Sequence, residues 1–288
     1  MPVVHHFAHG PINPVAAYAL AFLGALLGLA SMARATTAGT PSRRARWLIT
    51  AAFSIGGGIW LMHFTAMLGF DIPDSPVRYD PRITLASAVL AVVVVGLGLT
   101  LVGTGRRALW KILFGGVFTG TGVAAMHYTG MAAMRIAGSV EYQPPVVGAS
   151  VLIAIAAATV ALWLSVTVRG RGLILLSAGI MALAVCGMHY TGMAALHVEL
   201  VHDGTPVEGI DPIVLILPIV VIASVALVAL AFGALQTATE EDFARPAVAV
   251  RRLAAVNSRP HPVSLAEFNA TLPIPVSSTV ASHDGRHG

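Results

Sequence analysis

Charge is what this chain has least of. Only 10% of its 288 residues are Asp, Glu, Lys or Arg, whereas 56% are hydrophobic, and mean hydropathy is +0.81. A soluble domain carries roughly 25% charged residues, so this composition excludes one and points to a polytopic membrane protein. Cysteine is almost absent too. The single Cys186 lies in an apolar run, which excludes an intrachain disulfide and leaves the redox compartment unread. The single lysine, Lys111, stands at the end of an apolar run. A retinal Schiff base, which needs a lysine within the membrane, is excluded with it. No Asp or Glu falls inside the apolar runs, which disfavours a proton-coupled carrier. The first residues, MPVVHHFAHGPINP, lack the basic region of a cleaved signal peptide, so the first apolar run reads as a retained span. The net charge of +4 carries no nucleic-acid signal, because its meaning lies in where the charges fall.

Long apolar runs are what the chain has in abundance. Seven are long enough to cross a bilayer, which takes about 20 helical residues. They lie near 13–33, 47–70, 83–104, 110–134, 147–168, 172–196 and 212–235. The expected class is an all-α membrane protein with seven transmembrane helices. The connections alternate in charge. One set carries Arg34, Arg43, Arg44, Arg46, Arg106, Arg107, Lys111, Arg169 and Arg171, with no acidic residue. The other carries Asp71, Asp74, Asp80, Glu141, Glu199, Asp203, Glu208 and Asp211, against Arg78, Arg82 and Arg135. Basic loops stay in the cytoplasm, so the N-terminus is expected outside and the C-terminus inside. Residues 1–12 then form an extracytoplasmic segment, 13–235 the membrane domain and 236–288 a cytoplasmic tail. The tail is rich in Pro, Ser and Ala and is expected to be disordered from about Asn257. A tail this short cannot house a typical catalytic domain, so the chain reads as a non-enzyme.

One six-residue motif occurs three times: Met62-His63-Phe64-Thr65-Ala66-Met67, Met126-His127-Tyr128-Thr129-Gly130-Met131 and Met188-His189-Tyr190-Thr191-Gly192-Met193. Its period of 64 and then 62 residues marks one supersecondary unit used three times. The unit is a plain helix followed by a motif helix, and the seventh helix falls outside it. Each motif lies six to eight residues before the expected outer end of its span, which places the three histidines at one depth, roughly 10 Å below the outer surface. Small residues in the preceding turns (Gly56, Gly57 and Gly58; Gly116, Gly120 and Gly122; Ala182, Ala184 and Gly187) allow close helix approach. Three such helices about a pseudo-threefold axis would bring three imidazoles and several thioethers together.

His63 with Met67, His127 with Met131 and His189 with Met193 are four apart and share a helix face. Thioethers are soft ligands that select copper(I), and imidazole suits copper in either state. Zinc would recruit Cys or carboxylate instead. Copper is therefore the expected metal, and Cys186, three residues before His189, can join the set. The competing reading is packing alone: a membrane histidine bonds across helices and Met fills gaps. Tyr128 and Tyr190 also read as interface anchors, and the motif threonines as bonded to the preceding turn. His5, His6 and His9 could deliver metal from outside.

The motif carries a family resemblance. The tetrapeptides Met126–Thr129 and Met188–Thr191 match in full the sequence for which the MHYT-domain membrane proteins are named, and the first copy departs only at Phe64. The resemblance covers residues 13 to about 235. It implies a bacterial integral-membrane sensory domain in the inner (plasma) membrane that binds copper near the outer face and senses oxygen, carbon monoxide or nitric oxide. Carried over by position, the implied ligands are Met62, His63, Met126, His127, Met188 and His189, to which the four-residue spacing adds Met67, Met131 and Met193. Many relatives carry a diguanylate cyclase, phosphodiesterase or kinase output. Without one, the output passes to an unknown cytoplasmic signalling partner. The leading expectation is thus a membrane sensor. The runner-up is a copper transporter or copper-handling protein, although its ligands would be needed at several depths. A haem held by paired histidines is a third class, and it leaves the methionine repeats unexplained.

Overall fold

Residues 10–73, 75–105, 108–200 and 206–229 are described by the structure, a computed structural model. The expectations for His5, His6, His9, Asp74, Arg106, Arg107, Asp203 and the tail 236–288 lie outside the described residues. Among the described residues, seven helices are long and apolar enough to cross a membrane. They are α1 (Ile12–Thr37), α2 (Pro41–Met67), α3 (Pro81–Gly103), α4 (Leu109–Ala132), α5 (Pro144–Thr167), α6 (Arg171–Ala194) and α7 (Pro212–Ala229).

Among the described residues four helices, α2, α3, α5 and α7, begin on proline, whose fixed φ suits the first turn and whose missing N–H is no loss there. Pro41 follows the N-cap Thr40, whose side chain accepts from the Arg43 N–H. Pro81 follows Asp80, whose carboxylate accepts from the N–H groups of Arg82 and Ile83. Pro144 opens α5. Tight turns join α1 to α2 and α5 to α6. Between α5 and α6 the turn uses Gly170 at φ 91°, a left-handed conformation that glycine adopts without cost.

The first six helices form a ring in chain order. Each packs on the next, and α6 closes on α1. Small residues set how closely they approach: a Cβ on Gly58 of α2 would lie 2.9 Å from the Gly24 Cα of α1, and one on Gly120 of α4 would lie 2.4 Å from the Ile155 Cα of α5. Gly57 and Gly187 do not serve in this way, since both face open space. Outward faces are apolar, as a lipid-facing surface must be: Leu85, Val89, Val93 and Leu97 recur every fourth residue along exposed α3. Helix α7 lays one face on the core of the bundle, with Ile216 and Leu227 in the main core cluster. Ile213, Val214, Leu217, Val221 and Ile222 are exposed on it, while Ile216 and Leu227 are buried.

Short strands, which the all-α expectation did not include, bind the units at the motif end. Strand β1 (Arg78–Tyr79) pairs antiparallel with β2 (Met134–Arg135), and β3 (Gly138–Tyr142) with β4 (Leu196–Leu200). Each pair joins the residues before a plain helix to those after its own motif helix. In the second and third units the order is therefore strand, plain helix, motif helix, strand. Tyr79 also bridges to Ile210, just ahead of α7. Helices α4 and α6 give way to strands at Met134 and Leu196, and α2 ends on its cap Leu68, so the histidines lie four or five residues from the helix ends at Met67, Ala132 and Ala194 rather than the expected six to eight. Salt bridges reinforce this end: Arg135 reaches Asp80 at 3.5 Å and Arg78 reaches Asp211 at 4.0 Å. At the opposite end basic side chains cap helix carbonyls: Arg44 donates to Gly103 O, Lys111 to Thr104 O at 2.8 Å and Arg169 to Val166 O at 3.2 Å. Cations there complement the negative ends of the helix dipoles.

Candidate metal centre

The three motif helices meet on the axis at their histidines. His63, His127 and His189 are each 1% exposed. Their Nδ1 atoms form a near-equilateral triangle: His63 to His189 is 3.0 Å, His127 to His63 is 3.2 Å and His189 to His127 is 3.3 Å. The rings stand edge to face, with centroids 4.9, 5.0 and 5.1 Å apart. Three residues separated by more than sixty positions thus share a site, and among the described residues they form the one group of three or more His, Cys, Asp or Glu placed to hold a metal ion.

Hydrogen bonding alone cannot satisfy this triangle. A neutral imidazole nitrogen is either a donor or an acceptor, and a protonated ring offers donors only. Among three nitrogens in mutual contact two must share a role, so at least one of the three contacts sets lone pair against lone pair or N–H against N–H. Unsatisfied polar groups in a buried site are costly. A cation at the centre would accept all three lone pairs at once. With the observed sides, the centre lies about 1.8 Å from each nitrogen, slightly inside the ~2.0–2.1 Å of a usual imidazole–metal bond. A ring shift of a few tenths of an ångström would accommodate an ion. The donor set fits copper, for which imidazole is suited in both oxidation states. In one respect the site departs from common practice: the Nε2 atoms of His63 and His127 are buried with no hydrogen-bond partner, whereas ligating histidines usually donate their second N–H.

The reason those nitrogens face no partner is steric. His63 Nε2 packs onto Gly130, where an added Cβ would lie 2.4 Å away, and His127 Nε2 packs onto Gly192, at 2.5 Å. The His63 and His127 imidazoles are therefore seated on the backbone of the next motif helix, and the glycine three residues after one histidine receives the ring of another. Reasoning from sequence missed Gly130 and Gly192 as site residues. The signal was present in the motif itself, a glycine inside a helix where it costs stability, but only the three-dimensional order of the helices shows what it receives.

The other motif residues divide by role. All six methionines are buried. Met62 packs with Ala17, Ala21, Ala66, Ala182 and Cys186, whereas Met67, Met126, Met131, Met188 and Met193 belong to the main core. Cys186 is not a member of the histidine group. Three residues before His189, it points along α6 toward Met62 and the alanines of α1, and the expectation that it joins the ligands is corrected. Thr191 bonds the preceding turn as expected, donating to Gly187 O at 2.8 Å. Thr65 does not, and its hydroxyl is buried without a partner.

The tyrosines explain the departure at position 64. Tyr128 Oη lies 2.7 Å from Ser150 Oγ, and Ser150 in turn donates to Val147 O at 2.8 Å. One repeat earlier the equivalent serine is Ser87, which donates to Thr84 O at 2.7 Å. Phe64 offers it no hydroxyl. Instead Trp60 Nε1 donates to Ser87 Oγ at 3.0 Å, and the Trp60 and Phe64 rings pack 4.8 Å apart. The indole replaces the missing phenol, so both aromatic positions serve the seam between a motif helix and the plain helix that follows it.

Three segments, residues 56–116, 120–178 and 183–251, match the family described as "MHYT: Bacterial signalling protein N terminal repeat". The chain belongs to the MHYT family. Each matched segment opens in a motif helix, six or seven residues before its histidine, so the family repeat has the same period as the structural unit with a different starting point. The chain is 40% identical over 218 residues to the "Bifunctional diguanylate cyclase/cyclic di-GMP phosphodiesterase MucR" of Pseudomonas aeruginosa, covering 73% of this chain and 31% of that protein. It is 41% identical over 198 residues to the "Cyclic di-GMP phosphodiesterase NbdA" of the same organism, covering 66% and 25%. The "Signaling protein YkoW" of Bacillus subtilis is 31% identical over 186 residues, covering 62% and 23%. The chain thus spans less than a third of the length of these curated relatives. No solved structure matches. The expectation of a non-enzyme is corrected by these relatives, two of which are named as enzymes. The matched part of those enzymes is this membrane domain's counterpart, and the activities in their names are established for them and not for this chain. What is shared is a multi-pass signalling domain with an internal repeat.

Proposed function

We propose that this protein is a membrane sensor that holds copper at His63, His127 and His189 and responds to a diatomic gas such as oxygen, carbon monoxide or nitric oxide, with the N-terminus outside and the C-terminus in the cytoplasm. The observation that carries this reading is the convergence of three Nδ1 atoms, 3.0–3.3 Å apart, that cannot all be satisfied by one another. Copper, when bound, supplies an electron-rich centre able to take a small π-accepting ligand. The chain supplies the rest. Three imidazoles fix the position of the ion, and Gly130 and Gly192 let the rings reach the axis. The methionines Met62, Met67, Met126, Met131, Met188 and Met193 are all buried and are the motif's thioether donors, and thioether sulfur is the softer donor should the metal be reduced.

Each ligand comes from a different helix, so a change at the centre is felt by all three motif helices together. A gas biases the bundle only by binding one arrangement better than another. The relatives' signalling names support a sensing role, and two name cyclic di-GMP chemistry, which makes a cytoplasmic partner or domain in that chemistry the natural recipient. The orientation rests on charge. Arg44, Lys111 and Arg169 sit at one end, and Asp80 and Asp211 at the motif end, which by the basic-loop rule is the outer one. Copper transport is the weaker reading, because a moving ion needs donors at successive depths and the three imidazoles form a single layer.

Metal analysis of purified protein is the test. About one copper per chain, with an absorption change when carbon monoxide is added to the reduced form, is the expected result. Protein that stays free of copper after loading would end the reading. Copper uptake by cells producing the protein would favour transport instead.

A further inference from the structure

The axis behind the histidines is hollow. A cavity of about 70 Å³ lies there, bounded by all six ring helices. Its position follows from helical periodicity. Ile59, Val123 and Val185 are each four residues before a motif histidine, and Ile55, Thr119 and Met181 are each eight before. Residues at this spacing share a helix face, so the cavity occupies the two layers directly beneath the imidazole triangle. The plain helices complete it mostly with small side chains, such as Ala21, Ala25, Ala154 and Ala158.

Two features separate this space from an ordinary packing defect. It exceeds the ~10–15 Å³ needed to admit one water-sized sphere several-fold, in a bundle whose helices otherwise approach to backbone contact. Its wall is almost wholly apolar, and the exception is Thr119, 4% exposed, whose Oγ1 makes no hydrogen bond. A water needs two to four polar partners to be held, and one hydroxyl cannot provide them. The cavity is therefore dry, and a dry cavity of this kind takes up apolar molecules.

We infer that this cavity is a binding site for small apolar molecules of one or two heavy atoms, dioxygen among them, placed to store such a molecule directly beneath the histidine centre. The site itself does not depend on a metal. Its use as a feeder to the centre rests on the gas-sensing reading above. Ile59, Val123 and Val185 stand as a ring of branched side chains between the store and the imidazoles, and a molecule leaving toward the centre passes them. Even the Thr119 hydroxyl packs against Gly98 of α3 rather than into the space, so a guest meets an apolar wall.

Xenon is a suitable probe, applied to crystals of the full metal-free protein under pressure. The expected result is an anomalous peak on the axis between the layers of Ile59 and Ile55, absent in Ala158→Leu, whose larger side chain fills the space. Thr119→Val, which replaces the hydroxyl with a methyl group of similar size, should keep the peak and serves as a folded control if Ala158→Leu does not assemble. Xenon confined to lipid-facing grooves in the wild type and in Thr119→Val would overturn the inference, as would ordered water in the cavity. Because the protein is metal-free, that failure would leave the copper reading standing. Conversely, an axial xenon site in a protein that never binds copper would keep the store and end the feeder role. In copper-loaded protein, Ala158→Leu should slow carbon monoxide binding at least several-fold with copper content unchanged. An unchanged rate would remove the feeder role alone.

Discussion

The Nε2 atom of His63 rests against Gly130 so closely that a Cβ there would lie 2.4 Å from it. A single methyl group at Gly130 must therefore push the imidazole off the axis, because the alternative is to move the α4 backbone away from α2. Gly130→Ala is expected to cost about 1–3 kcal/mol of stability through overpacking and to weaken metal binding by at least 10-fold, the scale typical of residues that position ligands. Gly192→Ala should behave alike through His127, where the corresponding distance is 2.5 Å. Copper titration of the two variants checks this. Wild-type affinity in both would show that the rings do not need these seats.

The seam contacts should be separable from the metal. Tyr128→Phe removes the hydroxyl that meets Ser150, and Trp60→Phe removes the indole N–H that meets Ser87. Each loss is expected to cost about 0.5–1.5 kcal/mol, seen as lower thermal stability in detergent, with copper content unchanged. A fall in copper on Tyr128→Phe would make the phenol a ligand, and Phe64 would then mark a repeat that has lost one.

Much of this architecture was legible in the sequence. Hydropathy located all seven helices, and the repeated His63, His127 and His189 located the centre, because membrane insertion and a 64-residue period leave plain traces in composition and spacing. The strands did not show. Arg78–Tyr79 and Met134–Arg135 are two residues each, too short for alternation to register, and their pairing is set by helices packed far apart in the chain. Gly130 and Gly192 were visible as residues but not as seats, because a seat is defined by the neighbouring helix. Cys186 misled for the same reason: nearness to His189 in sequence does not fix which neighbour a helix face meets, and that face turns toward Met62.

Acid should loosen the motif end before it affects the bundle. The backbone N–H groups of Ile83 and Arg82, helped by Arg135, hold the Asp80 carboxyl below its ordinary range. A depressed carboxyl pKa contributes stability above its unfolded value, near pH 3.9, and that contribution is lost as pH falls through the folded value. Wild-type protein should therefore lose thermal stability at acid pH by more than Asp80→Asn does. Asparagine is an equally good N-cap, so at neutral pH Asp80→Asn should be affected less than Asp80→Ala. Identical acid profiles in wild type and Asp80→Asn would show that Asp80 does not report this transition.

Topology can be read by labelling. In a Cys186→Ser background, Glu208→Cys places an exposed thiol at the motif end and Ser42→Cys one at the other. A membrane-impermeant maleimide applied to right-side-out spheroplasts should label the first and not the second. The reverse pattern would turn the histidine centre toward the cytoplasm and remove the outward-facing sensor.

His127→Ala gives the sharpest test, because metal binding should fall while metal-free stability holds. The variant leaves two imidazoles and the thioethers, a weaker and softer set, so copper(II) should be lost and copper(I) retained better. Equal copper in the wild type and in variants at all three histidines would refute the metal site. Removing a buried side chain of this size ordinarily costs about 2–5 kcal/mol in a core. Here the loss should be smaller. With His127 gone, His63 and His189 remain as a pair with Nδ1 atoms 3.0 Å apart, and a pair, unlike a triangle, can divide the roles of donor and acceptor. The frustrated contact disappears together with the ligand. Metal-free His127→Ala should therefore unfold close to metal-free wild type, while added copper(II) raises the midpoint of the wild type alone, since a ligand that binds only the folded state stabilises it. A metal-free variant that loses the full core cost would show that the three histidines pack without conflict.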